Sequence, residues 1–456
     1  MENNNNAMLF GLEERPPVFT SILVGLQHVL AVFGAILTAP LIIALAMGLS
    51  VRDTSYLVSS ALVISGVATV LQIQRIGPVG SGLLSIQGTS FSFIGSLIAA
   101  FFVLGGDTDA HTALGTLFGS AAVCAVMMMA LSFLLPQLRY VVTPNVTGAT
   151  VILIGATLVW TTLTNIQRAY IGAEAGQGWQ VILLAVLVFS TIIVVIRLGN
   201  PWLKISSITI GLLVGYVVAL MLNLIDFAKL DELDRVFVPE LARYPLAVDW
   251  SVVAMLLPIF VISMMESVGD LTATSSLSGL ATSGKNYWLR VRGGVLGDSI
   301  NSLMASLFCT FPNTTFSQNN GVIQLTGVCS RYVGFYVAGF LVLLGTFPIV
   351  GGIFQVMPDA VLYGATLLMF GMVCYAGIRI VLTGSPETLD WAIVAMSIIG
   401  GWVISLFAAD VSFLSPGVVT VVEFPVSTGA LIAFCFESLR FILRGFTGDD
   451  DGHAND

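Results

Sequence analysis

Three carboxylates stand in this sequence where a charge is costly. Glu266 follows the apolar run from Val252 to Met265, and Asp270 lies four residues on. That spacing puts both acids on one face of a helix. Asp298 sits in the stretch Gly293-Gly294-Val295-Leu296-Gly297-Asp298-Ser299-Ile300-Asn301. A charge inside an apolar span usually faces a cavity or a partner and marks a path for a substrate or a proton. The competing readings are helix ends. Gly269 could stop the helix and leave both acids wet, and Asp298 could be a helix-start cap. Nearby, Thr314-Thr315-Phe316-Ser317-Gln318-Asn319-Asn320-Gly321 places amides between apolar flanks. Gln318 and Asn319 can each donate and accept. A planar heterocycle with adjacent C=O and N–H groups can pair with a glutamine amide through two hydrogen bonds, while Glu266 accepts from ring N–H groups. The plainer reading of the amides is a capped loop. His28 is the only histidine within an apolar segment, as a proton carrier or as a helix–helix hydrogen-bonding residue. The five cysteines are scattered singly with no CxxC or Cys/His spacing, so neither a metal site nor a disulfide framework is expected, and no organic cofactor is called for.

These residues need elements that hold them inside a membrane. Of 456 residues, 56% are hydrophobic and 9% charged, against about 25% charged in soluble domains. Too few charges remain to cover a soluble surface, so the partner is a lipid bilayer. Each span needs about 20 apolar residues. Apolar segments run near 18–37, 56–73, 83–104, 112–135, 141–163, 179–198 and 205–225, then 250–266, 293–311, 315–325, 332–349, 361–381, 391–407 and 426–443. The sequence thus predicts an all-α polytopic membrane protein of 14 segments, seven on each side of a polar loop. An interrupted stretch, Val411 to Val422, reads as re-entrant or interfacial. The first segment lacks a charged leader or cleavage site and reads as a retained span. With the N-terminus inside, only Arg52, Arg168, Lys229, Arg235 and Arg243 of the 17 basic residues fall outside, which fits the positive-inside rule. Both termini are then cytoplasmic. The net charge of -9 comes largely from the loop Asp226–Asp249 and the tail, and gives no reason to expect a nucleic-acid partner. An enzyme would need a nucleophile–base pair or a metal cluster, and none is evident.

An odd number of spans per half inverts the second half relative to the first, an architecture that places substrate at mid-membrane between repeats. Pro144-Asn145-Val146-Thr147-Gly148-Ala149-Thr150 opens the fifth segment much as Pro358 to Thr366 opens the twelfth. Segments three and ten are irregular in corresponding places. Gly80 to Phe91 is rich in Gly and Ser, and Thr314 to Gly321 holds the amides. Irregular backbone at membrane depth needs protein or a water-filled cavity around it.

At these residues the sequence resembles the nucleobase/ascorbate transporter family. Gln318-Asn319-Asn320-Gly321-Val322-Ile323-Gln324-Leu325-Thr326-Gly327 fits its signature: Gln, Glu or Pro, then Asn, any residue, Gly, four residues, Thr, and Arg, Lys or Gly. The likeness extends to Glu14-Arg15-Pro16-Pro17, Gly80 to Phe93, Glu266 to Thr274 and Gly293-Gly294-Val295-Leu296, and is nearest to bacterial xanthine and urate permeases. It implies two inverted seven-segment repeats with short strands in segments 3 and 10. A substrate-holding core would comprise 18–137 and 250–350, and a gate, usually dimerised, 138–225 and 351–445. Residues 1–17 and 446–456 would be cytoplasmic tails and 226–249 an external loop. The resemblance makes Glu266, Gln318, Phe91, Ser90, Ser317 and Asn319 substrate-binding residues, with Phe91 stacking on the base. It links Asp270, Asp298 and His28 to the proton. Gln318 favours purines over uracil, since the uracil branch has Glu at the first motif position. Ser90, where some xanthine permeases carry Asn, leaves xanthine and urate both open. The expectation is a proton-coupled purine symporter, a homodimer in the inner membrane.

Overall fold

The computed structural model describes residues 8–106, 108–135, 143–173, 177–198, 200, 203–204, 206–383, 386–407, 422 and 424–447. The first series of elements is α1 (Val18–Ala46), α2 (Val51–Gln74), β1 (Gln87–Thr89), a 3-10 turn (Phe91–Phe93) leading into α3 (Ile94–Val103), α4 (Ala110–Ser132), α5 (Pro144–Gly172), α6 (Gly178–Arg197) and α7 (Ser207–Met221). The second is α8 (Trp250–Leu277), α9 (Gly284–Leu307), β2 (Asn313–Thr315), α10 (Gln318–Thr326), α11 (Val333–Thr346), α12 (Pro348–Gln355), α13 (Asp359–Thr383), α14 (Thr388–Phe407) and α15 (Pro425–Thr447).

Local chemistry explains where several helices begin. The Ser50 side chain accepts from the Asp53 N–H at 3.1 Å and caps α2, Asp109 caps α4 through Thr112 N–H, and Asp249 accepts from Ser251 and Val252 to start α8. Each satisfies backbone donors that a helix start leaves open. Pro144 opens α5 at a position where its missing N–H costs nothing.

Among the described residues, eight helices are long and apolar enough to cross a membrane: α1, α2, α4, α5, α6, α8, α13 and α14. The number falls short of 14 for physical reasons. Segments three and ten each pair a short strand with a helix of ten residues or fewer, α7 is short, and α9 opens on Lys285, Arg290 and Arg292. The segment at 332–349 is not one helix. It breaks at Phe347–Pro348 into α11 and α12, bent by 71°, as proline requires when it removes a helix donor. Helix α9 starts at Gly284, well before 293, so Asp298 lies within the helix and is not its cap. Gly269 is likewise internal to α8, which continues to Leu277. Of the stretch 411–422, residues 411–421 lie outside the described residues.

The packing has two parts. In the first, α2 packs on α11 and α9, α4 on α9 and α8, and α1 on α11 and α10. In the second, α5 lies against α13, α14 and α15, while α6 and α7 both contact α13 and each other. Fewer contacts join the parts, chiefly α1 with α7, α8 with α15 and α5, and α3 with α5. The 226–249 loop is fastened along the first part. Phe237 N–H donates to Thr346 O and Ala242 N–H to Leu307 O, both at 2.8 Å, and the Tyr244 hydroxyl donates to Asp53 at 2.9 Å. The N-terminal residues form another strap. Leu9 N–H donates to Gly327 O at 2.8 Å, Cys329 N–H to Phe10 O at 2.9 Å, and Arg331 pairs with Glu13 at 2.7 Å. That strap pins the end of α10, where Gly327 adopts φ 64° and ends the helix as a left-handed cap.

Candidate functional site

The site is organised by two three-residue strands. β1 and β2 pair antiparallel, with Gln87 opposite Thr315, Gly88 opposite Thr314 and Thr89 opposite Asn313. The ladder continues through Phe316 N–H to Ile86 O and Ser90 N–H to Pro312 O, each 3.0 Å. Gly88 is required where the strands meet. A Cβ there would lie 2.0 Å from the Phe316 ring and 2.7 Å from Ile36. Each strand feeds a helix start: β1 leads through Ser90 into the 3-10 turn and α3, and β2 leads through Ser317 into α10. The dipoles of such half-helices favour negative charge at their starts, while Ser92 N–H is taken by the Ser90 hydroxyl and the Asn319 and Asn320 N–H groups by Phe316 O and Ser317 O.

Helix α8 crosses beside these starts and carries the acids. The Ser92 hydroxyl lies 3.0 Å from both Glu266 carboxylate oxygens. Asp270, one turn on, accepts from the Thr315 hydroxyl of β2 at 3.4 Å. The Thr274 hydroxyl donates to Asn320 Oδ1 at 2.6 Å and ties α8 to α10. Asp298 is 7% exposed and lies beside the Gln87 side chain of β1. It accepts from Ser267 of α8 and from Gln72 of α2, and the Ser267 hydroxyl lies 3.2 Å from that of Thr314.

The other candidates have distinct surroundings. Gln318 opens α10 half-buried, its Oε1 buried without a partner. Ser317 is exposed and its hydroxyl makes no cap. Asn319 is buried and donates to Leu84 O at 2.5 Å, so its amide nitrogen holds α10 on the strand β1 side. His28 is fully buried in α1 beside the Asn319 side chain, neither ring nitrogen being aligned for a hydrogen bond. Phe91 is half-buried and meets Phe370 of α13 edge-on, 6.3 Å between centroids. Ser90 accepts from Ser92 N–H at 3.3 Å, which commits its oxygen to shaping the turn.

Sequence reasoning missed Ser92, Ser267, Thr315 and Gln72. Ser92 and Thr315 flanked residues singled out for other reasons, and Ser267 follows Glu266 directly. Nothing local marked Gln72, whose partners lie far along the chain. A cavity of about 230 Å³ lined by Arg52, Tyr56, Glu240, Arg243 and Pro348 lies at the opposite end of α2 from Gln72. That is a helix length of about 30 Å away, so it is separate from the acids.

A family model described as Permease family (Xan_ur_permease) matches residues 19–410. Xanthine permease XanP of Escherichia coli is 40% identical over 404 residues, covering 88% of this chain and 87% of that protein. Xanthine permease XanQ of the same organism is 38% identical over 441 residues, 96% of this chain and 94% of its own length. Among solved structures, the transmembrane domain of a cyanobacterium bicarbonate transporter, BicA, aligns with a TM-score of 0.55 at 16% identity, over 93% of this chain and 99% of that one. The murine Slc26a9 anion transporter, in the inward-facing state, gives 0.64 at 14% identity, over 95% and 70%. At such identities these two structures speak for the fold alone.

Proposed function

The chain belongs to the nucleobase/ascorbate transporter family, and from that premise we propose that it imports an oxidised purine, xanthine first and urate second, together with a proton. It is a multi-pass membrane transporter and not an enzyme. The observation that carries the substrate reading is Glu266, held by Ser92 beside two half-helix starts, one of which carries the Gln318 side chain with its buried Oε1 unpartnered. The carboxylate would accept from ring N–H groups, Gln318 would pair with an adjacent C=O and N–H, and Phe91 would stack on the ring. Ser317 would offer backbone at the start of α10. Ser90 and Asn319 would act by shaping the turn and holding α10, the Ser90 oxygen and the Asn319 amide nitrogen being engaged there. Asp270 and Asp298 would carry the coupling proton, with His28 packed against Asn319 as part of the same assembly. Uptake of radiolabelled xanthine, urate, uracil and hypoxanthine into cells lacking their own permeases tests the reading. Xanthine uptake is expected to dominate. Uracil uptake alone, or uptake of no base at all, would overturn it, the latter leaving an anion transporter of the same fold as the alternative.

The proposed architecture is 14 segments in two inverted repeats, with β1 and β2 in segments 3 and 10. Its support is a symmetry in the packing. Exchanging the halves turns the contact α2–α11 into α9–α4, α1–α11 into α8–α4, and α1–α7 into α8–α15. In the second part, α6–α13 becomes α14–α5, α6–α7 becomes α14–α15, and α7–α13 becomes α15–α5. Every one of these pairs occurs. The sparse contacts between the parts favour a core of 18–137 and 250–350 moving against a gate of 138–225 and 351–445. Cytoplasmic termini, an inner-membrane location and a homodimer complete the reading. Accessibility of single introduced cysteines to an impermeant label would test the orientation.

Two substitutions test the base-reading residues. Gln318→Glu is expected to shift or abolish purine selectivity while the protein reaches the membrane normally, because an ionised carboxylate only accepts. Xanthine uptake equal to wild type at matched expression would remove Gln318 from the site. Stacking on an aromatic face contributes about 1–3 kcal/mol per base in nucleic-acid binders. Phe91→Ala should therefore weaken xanthine binding about tenfold or more. An unchanged affinity would assign Phe91 to packing against Phe370.

A further inference from the structure

We infer that Gln72 is a positioning residue of the coupling machinery, a buried amide that holds the Asp298 carboxylate against Ser267. The inference rests on the proposed coupling role of Asp298. Gln72 lies near the end of α2, has no exposed surface, and every polar atom of its side chain is used. Its Nε2 donates to Asp298 Oδ1 at 3.0 Å and to Gly294 O at 3.1 Å, and its Oε1 accepts from Ser81 N–H at 3.1 Å. Three elements meet at this amide: α2, which carries it, α9 through Gly294 O and Asp298, and the loop that leads into β1.

The glycines of α9 are cut to admit it. A Cβ at Gly297 would lie 2.7 Å from Gln72 Oε1, and one at Gly293 would lie 2.6 Å from Gly80 O. Gly80 N–H in turn donates to Gly293 O at 2.7 Å. With one Asp298 oxygen fixed by Gln72, the other faces Ser267, whose hydroxyl meets Thr314 on β2. Ser267 follows Glu266 in α8, and Thr314 precedes Thr315, the partner of Asp270. Asp298 thus addresses both the acid-bearing helix and the strand pair without touching the half-helix starts, and Gln72 fixes its orientation from behind. An amide suits the task because it donates to a carboxylate while accepting from a backbone N–H, and a buried carboxylate left unpartnered is strongly penalised.

The test uses Gln72→Leu and Gln72→Glu in full-length protein reconstituted into liposomes. Three quantities are measured: xanthine binding by purified protein, xanthine counterflow without a pH gradient, and accumulation driven by an inward proton gradient. Gln72→Leu is expected to bind within about threefold of wild type and to retain counterflow, yet to lose about tenfold or more of accumulation, the scale of a hydrogen bond to a charged group. Gln72→Glu, nearly the same size, donates to Asp298 only when protonated. It should recover accumulation at acidic pH and lose it at neutral pH, a pattern that a packing role would not produce. The inference is overturned if Gln72→Leu accumulates like wild type. It is also overturned if binding, counterflow and accumulation fall in parallel in both variants with no recovery at acidic pH. Wild-type protein that transports no purine would instead sink the transport reading itself.

Discussion

Glu266→Gln should abolish purine binding, and not merely its transport. The carboxylate stands on α8 where it faces the turn that follows β1, and Ser92 is its hydrogen-bonding partner. A xanthine ring presents N–H donors to it, and hydrogen bonds to a charged acceptor contribute about 1.5–3 kcal/mol each. Losing two of them weakens binding by a factor on the order of a hundred or more. Glutamine has the same shape but turns one accepting oxygen into a donor, so it meets a ring N–H with a repelling N–H. Ser92 supplies an internal comparison. Ser92→Ala removes only the hydroxyl that orients the carboxylate, and should weaken binding by about tenfold. Calorimetry or scintillation proximity on purified protein separates binding from transport. Should Glu266→Gln bind xanthine within about threefold of wild type, the charged acceptor does not read the base and the substrate site lies elsewhere.

The chemistry of α8 was legible in the sequence because charge in an apolar run is conspicuous and a spacing of four has a fixed geometric meaning. Glu266 and Asp270 do share a helix face toward the strands. The irregular backbone was legible for a similar reason: glycine, serine and amides at membrane depth mark broken segments, and the breaks fall at Gln87–Thr89 and Asn313–Thr315. Element ends were harder. The start of α9 hides in Lys285, Tyr287, Arg290 and Arg292, which read as a loop, so Asp298 passed for a cap when it is internal. The break before Pro348 hides because both sides are equally apolar. Gln72 and Asn319 show the remaining gap. Their roles depend on Asp298 and on the Leu84 carbonyl, partners 226 and 235 residues away in the chain, and no local pattern encodes such a distance. The buried hydrogen bonds that Asn145 donates to Asp390 and Glu437, with Arg440 on Asp390, were invisible for the same reason.

Asp270→Asn should separate binding from energy coupling. Glu266, Asp270 and Asp298 lie close enough for the charges of the other two to act on Asp270. None of the ion pairs among the described residues involves any of the three. Burying several carboxylates without a cation is expensive unless protons neutralise them. A symporter can use that cost: acids that take a proton on the acidic side permit the core to move, and release it on the other. Among the described residues the Asp270 carboxylate accepts one hydrogen bond, from Thr315 at a long 3.4 Å, while Thr274 and Asn320 donate to its backbone carbonyl, so the carboxylate can change protonation without unpacking the strands. Asparagine there mimics the neutral acid permanently. The variant should bind xanthine within about threefold of wild type and exchange it across the membrane, yet fail to accumulate it against a gradient. Wild-type accumulation should collapse with a protonophore and be indifferent to replacing sodium by choline. A sodium ion can be held by backbone carbonyl oxygens without a cluster of carboxylates, which is why the choline arm is needed. Accumulation that requires sodium and survives the protonophore would overturn proton coupling while leaving the purine site standing. Loss of binding in Asp270→Asn would move Asp270 from the coupling step into the substrate site.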